Sequence, residues 1–159
     1  MPTSNGNGRH QIAVPPHNHE AEQSVLGSIL LSDRLLPAMV LEVGLSQADF
    51  YRERHGVVFA AMRALHQANE PIDHLTVSEQ LQRQGQLEEV GGSGAIEELA
   101  GWVPAAGHGV QYARIVRELS QMRRLLSATY EIQAEIAERR QGGGGADRSR
   151  REAHLRSAC

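Results

Sequence analysis

The sequence contains no lysine, and all 16 of its basic residues are arginine. A phosphate-binding loop of the form GxxxxGK[ST] therefore cannot be built from it, since that lysine is the group that reaches the β- and γ-phosphates. Schiff-base chemistry and a lysine general base are excluded with it. Cysteine is nearly absent too: Cys159 stands alone, which rules out an internal disulfide and any Cys-x-x-Cys metal site. Aromatic residues amount to 4%, so a core must be made mostly of Leu, Val, Ile and Ala. No apolar run approaches the roughly 18 residues that span a bilayer, and the opening residues are too polar for a signal peptide. At a formal net charge of −3, no overall field draws the chain to nucleic acid. The expectation is a cytoplasmic protein with no membrane contact.

Catalytic constellations are also missing. The eight histidines include no pair at helical i, i+4 spacing with a carboxylate between them. His17 and His19 stand two apart near a helix start, where they are expected to face different ways. No Gly-x-Ser-x-Gly elbow occurs. Glu88-Glu89 and Glu97-Glu98 are neighbours in sequence rather than facing carboxylates, as on solvated helix faces. The sequence offers no catalytic, cofactor-binding or metal-binding set.

What is present is helical period. No segment alternates apolar and polar residues, so the expectation is an all-α fold. Residues 1–14, rich in Ser, Asn and Gly, read as a disordered leader. Asn18 offers an N-cap, with Glu20 and Glu22 placed to favour the dipole of a first helix that ends near Leu31 and buries Ala21, Val25, Ile29 and Leu30. A second helix turns Leu36, Met39, Val40 and Val43 inward and stops at Gly44. Ser46 and Asp49 make a turn that delivers Phe50 and Tyr51; with His55 and Phe59 these are expected to be core. A third helix starts near Glu53 and ends before Pro71. Thr76 and Glu79 suggest a capping box for a fourth helix, which Gly85 ends, and Ser93 suggests the cap of a short fifth.

Residues 112–140 form the longest uninterrupted stretch, without Pro or Gly, and would make a helix roughly 40 Å long. Tyr112, Ile115, Leu119, Met122, Leu126, Thr129, Ile132 and Ile136 fall on one narrow stripe, the spacing of a coiled-coil or hairpin seam. These residues, Thr129 excepted, are the candidate self-association seam. Gln141 and the glycines 142–145 are expected to break the helix, leaving 141–159 as a disordered Gly/Arg-rich tail.

The order of these signals resembles the N-terminal domain of DnaB-like replicative helicases. Asn18-His19-Glu20-Ala21-Glu22-Gln23-Ser24-Val25-Leu26-Gly27 is similar to its opening helix, and Asp49-Phe50-Tyr51 with His55 and Phe59 to its next block. Pro71-Ile72-Asp73, Thr76-Val77, Leu81, Gly85, Leu87 and Gly91-Gly92 follow in the same order, and Tyr112-Ala113, Ile115-Val116-Arg117-Glu118 and Arg124-Leu125 resemble its hairpin helix. The likeness covers residues 15–140. It departs at Ala95, where the family usually has an aromatic residue, and at His108, a frequent Asn.

The resemblance implies a small helical globule of about five helices followed by a long helix, the first arm of a helical hairpin. It further implies dimers assembled up to a hexameric collar, docking of primase and of a helicase loader, and little or no direct DNA binding. Asp73, His74, Arg114, Arg117 and Arg124 are the candidate partner surface. ATP, Mg²⁺ and 5′–3′ unwinding would belong to a separate motor domain, which, like the second hairpin arm, has no counterpart in these 159 residues. A truncated or frame-shifted gene would produce such an abrupt change at 141. The competing expectation is a small helix-turn-helix regulator reading DNA with Gln80, Gln82, Arg83 and Gln84, although positive charge for the phosphates is lacking around them.

Overall fold

Asn18 sits in extended backbone and accepts the Ala21 N–H at 3.0 Å, so helix α1 (His19–Leu31) begins where the cap residue dictates. The computed structural model describes the backbone of residues 14–156 and the side chains of 14–142, residue 106 excepted. Nearly all of the expected leader, 1–13, lies outside the described residues. After α1 come α2 (Leu35–Leu41), a 3₁₀ turn (Gln47–Asp49), α3 (Glu53–Gln67), α4 (His74–Arg83), α5 (Gly92–Gly101), a second 3₁₀ turn (Ala106–His108) and α6 (Gly109–Arg156). The fold is all-helical, with no strand among the described residues.

The chain divides into two compact units, 1–121 and 122–159. In the first, α1 lies mainly against α5, α3 against α4, and α4 against α5. Their shared core is aliphatic around one aromatic pair: Val25, Leu26, Ile29, Met62, Leu65, Leu81 and Ile96 are buried, and Phe50 and Phe59 meet at 5.1 Å between ring centroids. The α1–α5 crossing is close enough to require glycine. A Cβ at Gly27 would lie 2.1 Å from the Leu99 carbonyl oxygen. Gly44 is needed for its backbone instead. Its φ of +74° reverses the chain so that Leu45 returns to the core and donates its N–H to Met39 O at 3.0 Å.

Two helix starts differ from expectation. Helix α4 is capped by Asp73, whose carboxylate accepts the N–H groups of Leu75 and Thr76 at 2.9 Å, while Thr76 Oγ1 accepts the Asp73 N–H at 2.9 Å. Thr76 is therefore the reciprocal partner in the box and not its cap, because the short Asp carboxylate reaches two orphan amides at once. Helix α5 begins at Gly91 and Gly92, at φ of +103° and +79°, and Ser93 makes no capping bond. The backbone turn that only glycine adopts easily sets this boundary.

The end of α6 is the larger correction. The glycines 142–145 do not stop it, and the helix continues to Arg156, beyond which 157–159 lie outside the described residues. Glycine weakens a helix by about 1 kcal/mol per position without forbidding it, whereas proline costs about 3. No proline interrupts α6, and Ala, Arg and Glu flank the glycines on both sides. The second unit is thus helical throughout its described length rather than a helix followed by a disordered tail.

Gly27→Ala should destabilise the protein by about 3 kcal/mol, since backbone must shift to admit the methyl group. Gly44→Ala, with nothing within 4 Å of the new methyl but a positive φ to hold, should cost about 1 kcal/mol. Urea unfolding of the two variants checks the difference. Equal losses would mean that the α1–α5 approach is not the constraint.

Candidate functional site

Two buried carboxylates organise the surface of the first unit. Glu22, placed by the sequence in the first turn of α1 where it favours the helix dipole, is only 2% exposed. It takes His55 Nδ1 at 2.6 Å and accepts the backbone N–H groups of Tyr51 and Arg52. Burial pushes its carboxyl up, but hydrogen bonds from His55 and the Tyr51 amide outweigh that and hold it below the ordinary glutamate value. His17 and His19 do not diverge. Both rings meet Tyr51, His17 stacked at 4.2 Å and His19 tilted at 5.9 Å, and Arg52 Nε donates to His19 at 3.0 Å. Burial, together with the Arg52 cation, lowers the His19 pKa. Tyr51, expected in the core, is 37% exposed because it is the platform of this histidine cluster.

Asp49 is completely buried. Its Oδ2 accepts Ser46 N–H at 2.8 Å and Ser46 Oγ at 3.0 Å, and its Oδ1 accepts Ser120 Oγ at 2.7 Å and Arg117 Nη1 at 2.8 Å. Burial raises its pKa, and the bonds from Ser120, Ser46 and Arg117 overcome that and lower it overall. The 3₁₀ turn is thereby joined to the first part of α6.

That junction redistributes the residues singled out in the sequence. Arg117 turns inward to Asp49 and is not free to meet a partner. Ala113, Val116 and Ser120 form the buried stripe of α6 in the first unit, with Tyr112 partly buried beside it and Leu119 intermediate. Ile115 is 40% exposed and Arg114 lies at the surface near Gln111. At the head of α4, the Asp73 carboxylate is occupied by its cap, while His74 is exposed and Leu75, which sequence reasoning passed over, is exposed at 68%. In the second unit Met122, Ile132 and Ile136 are each more than half exposed, Leu126 is intermediate, and Arg124 is exposed. Leu125, exposed at 69%, was not among the expected seam residues, although it stands at heptad spacing from Met122 and Ile132.

Among the described residues, no side chain in either unit is arranged as nucleophile, base and orienting group. No cluster of three His, Cys, Asp or Glu among them could hold a metal ion, and no helix is long and apolar enough to cross a membrane. The buried polar groups hold the helices of the first unit together.

Residues 14–118 match the model of the DnaB-like helicase N terminal domain, and the chain belongs to that family. It is 42% identical over 120 residues to the replicative DNA helicase DnaB of Geobacillus stearothermophilus and 43% over 119 to the replicative DNA helicase DnaC of Bacillus subtilis. Each match covers 75% of this chain but 26% of the relative, so the chain spans about a quarter of their length. Among solved structures, the N-terminal domain of DnaB helicase from Mycobacterium tuberculosis superimposes with a TM-score of 0.73 at 41% identity, over 78% of this chain and 88% of that one. A DnaB-like replicative helicase solved in a study of its interactions with primase gives 0.62 at 29% identity, over 75% of this chain and 28% of that one. Family membership does not favour the helix-turn-helix regulator.

Both carboxylates have native pKa values below their ordinary 4.5 and 3.8. The stability they supply is therefore complete above those values and is lost as pH falls through them towards the lowered native ones. Urea unfolding should show a steep loss of stability below about pH 5. Glu22→Gln and Asp49→Asn should each be about 3 kcal/mol less stable at pH 6, with a flatter decline on acidification. Unchanged slopes in both variants would show that other groups govern acid unfolding.

Proposed function

We propose that this chain serves as the assembly and partner-docking domain of a replicative DNA helicase. A second copy covers the apolar side of α6, building towards a hexameric collar, and primase docks on the exposed face that includes His74 and Arg114. A helicase loader is a further partner. The chain itself contributes neither ATP hydrolysis nor sequence-specific DNA contact, and ATP and Mg²⁺ serve the motor of the parent 5′–3′ helicase. Its place of work is the cytoplasm.

The observation that carries this reading is the row Met122, Leu125, Ile132 and Ile136, all more than half exposed in the second unit. Their 3-4 spacing is that of a helix with a helical partner. Covering one such side chain is worth roughly 1.5–3 kcal/mol, so the row supplies a driving force that no contact within the second unit uses. Family membership and the interactions of a DnaB-like relative with primase support the choice of partners.

Light scattering of the purified chain should give a mass above the monomer, and Leu126→Arg and Ile132→Arg should each return it to the monomer. A wild-type chain that stays monomeric at high concentration would sink the self-association. His74→Ala with Arg114→Ala should weaken co-elution with primase while leaving the mass unchanged, and ATP turnover by the pure chain should be absent.

A further inference from the structure

A cavity of about 120 Å³, partly open to solvent, lies in the first unit between α1, α3 and α5. Val58, Ile96 and Leu99 give it an apolar floor, and the small side chain of Ala95 leaves the space unfilled. Trp102 stands on its rim with more than half of its surface exposed. An apolar cavity of about 150 Å³ holds a benzene ring, and this space is of the same order.

The remaining wall is polar in one defined respect. His55 lines the cavity although its side chain is only 5% exposed. Its Nδ1 is committed to the Glu22 carboxylate at 2.6 Å, and a carboxylate held ionised accepts only, so Nδ1 carries the proton. Its other ring nitrogen, Nε2, has no hydrogen-bond partner among the described residues, and a hydroxyl, which both donates and accepts, can pair with it. Arg54 and Glu98 also line the cavity with charges of opposite sign, which favours a neutral ligand over an ion. A ring without a hydroxyl would cover Nε2 and leave it unpaired, at the cost of desolvating it.

We propose that this cavity is a binding site for a phenolic ring, its face against Trp102 and the apolar floor and its hydroxyl hydrogen-bonded to His55 Nε2. The ring comes either from a tyrosine side chain of a partner protein or from a free small phenol. Neither is part of the assembly reading above, and the site stands whether or not the chain self-associates.

The experiment is a titration of the full chain with p-cresol, the tyrosine side chain alone, followed by NMR of the Trp102 indole and the His55 ring. Saturable millimolar binding is expected, with toluene up to about tenfold weaker for want of the hydroxyl. Ala95→Phe should fill the cavity and abolish the p-cresol shifts. Trp102→Ala, a change at an exposed position that the fold tolerates, should weaken binding several-fold. Equal binding of toluene and p-cresol, shifts that never saturate, or an Ala95→Phe variant that still binds would each overturn the proposal. N-acetyl-tyrosinamide distinguishes the sources: affinity matching p-cresol supports a protein side chain, and its exclusion while p-cresol binds supports a free phenol.

Discussion

A carboxylate with no access to water must be met by donors from the protein, and Asp49 is met from two places far apart in sequence. Ser46 supplies an amide and a hydroxyl from within the turn, and Arg117 and Ser120 supply a guanidinium and a hydroxyl from 68 and 71 residues away. Desolvating such an ion costs several kcal/mol, which these contacts must offset. Removing a single donor is therefore worse than its bond strength suggests, because the charge stays buried. This links the turn that positions Phe50 and Tyr51 to the start of the longest helix. Arg117 is the compromise in the arrangement. Its Nε is buried without a partner, but the side chain keeps 26% of its surface in solvent, which moderates the cost of burying a cation.

Glu22 applies the same solution one layer away. The residues after Phe50 leave the 3₁₀ turn with free amides, and a carboxylate from α1 gathers the N–H groups of Tyr51 and Arg52 while its other contact orients His55. The chain thus replaces a regular helix connection between 46 and 53 with two buried acids. The outer histidine cluster and the inner cavity meet this connection through Arg52 and His55.

What was legible in the sequence follows from how local each signal is. The start of α1, the stops at Gly44 and Gly85, and the aliphatic core faces are set by a cap, by glycines at positive φ and by period 3.6, all visible within one helix. The family blocks added the order of the helices. Where two capping residues compete within a few positions, as Asp73 with Thr76 or Gly91 with Ser93, backbone geometry decides, and sequence alone does not rank them. The buried acids were illegible for another reason. A Glu in the first turn of a helix is the expected surface residue, and only the fold brings His55 to it across 33 residues. The unfilled cavity beside Ala95 likewise depends on three helices meeting.

Helix α6 carries its apolar period and its buried contact on different residues. Its large side chains mark the seam in the sequence, but the face that the head buries consists of Ala113, Val116 and Ser120. Small residues let a helix approach closely enough for Ser120 Oγ to reach Asp49, which a Leu or Met at that position could not do. The bulky residues are therefore displaced from the intramolecular contact by the requirement to satisfy a buried charge. Beyond residue 121 no such charge constrains the described part of the helix, and Met122, Leu125, Ile132 and Ile136 stay exposed. The polar junction thus determines which apolar surface the chain consumes in its own folding and which it leaves exposed.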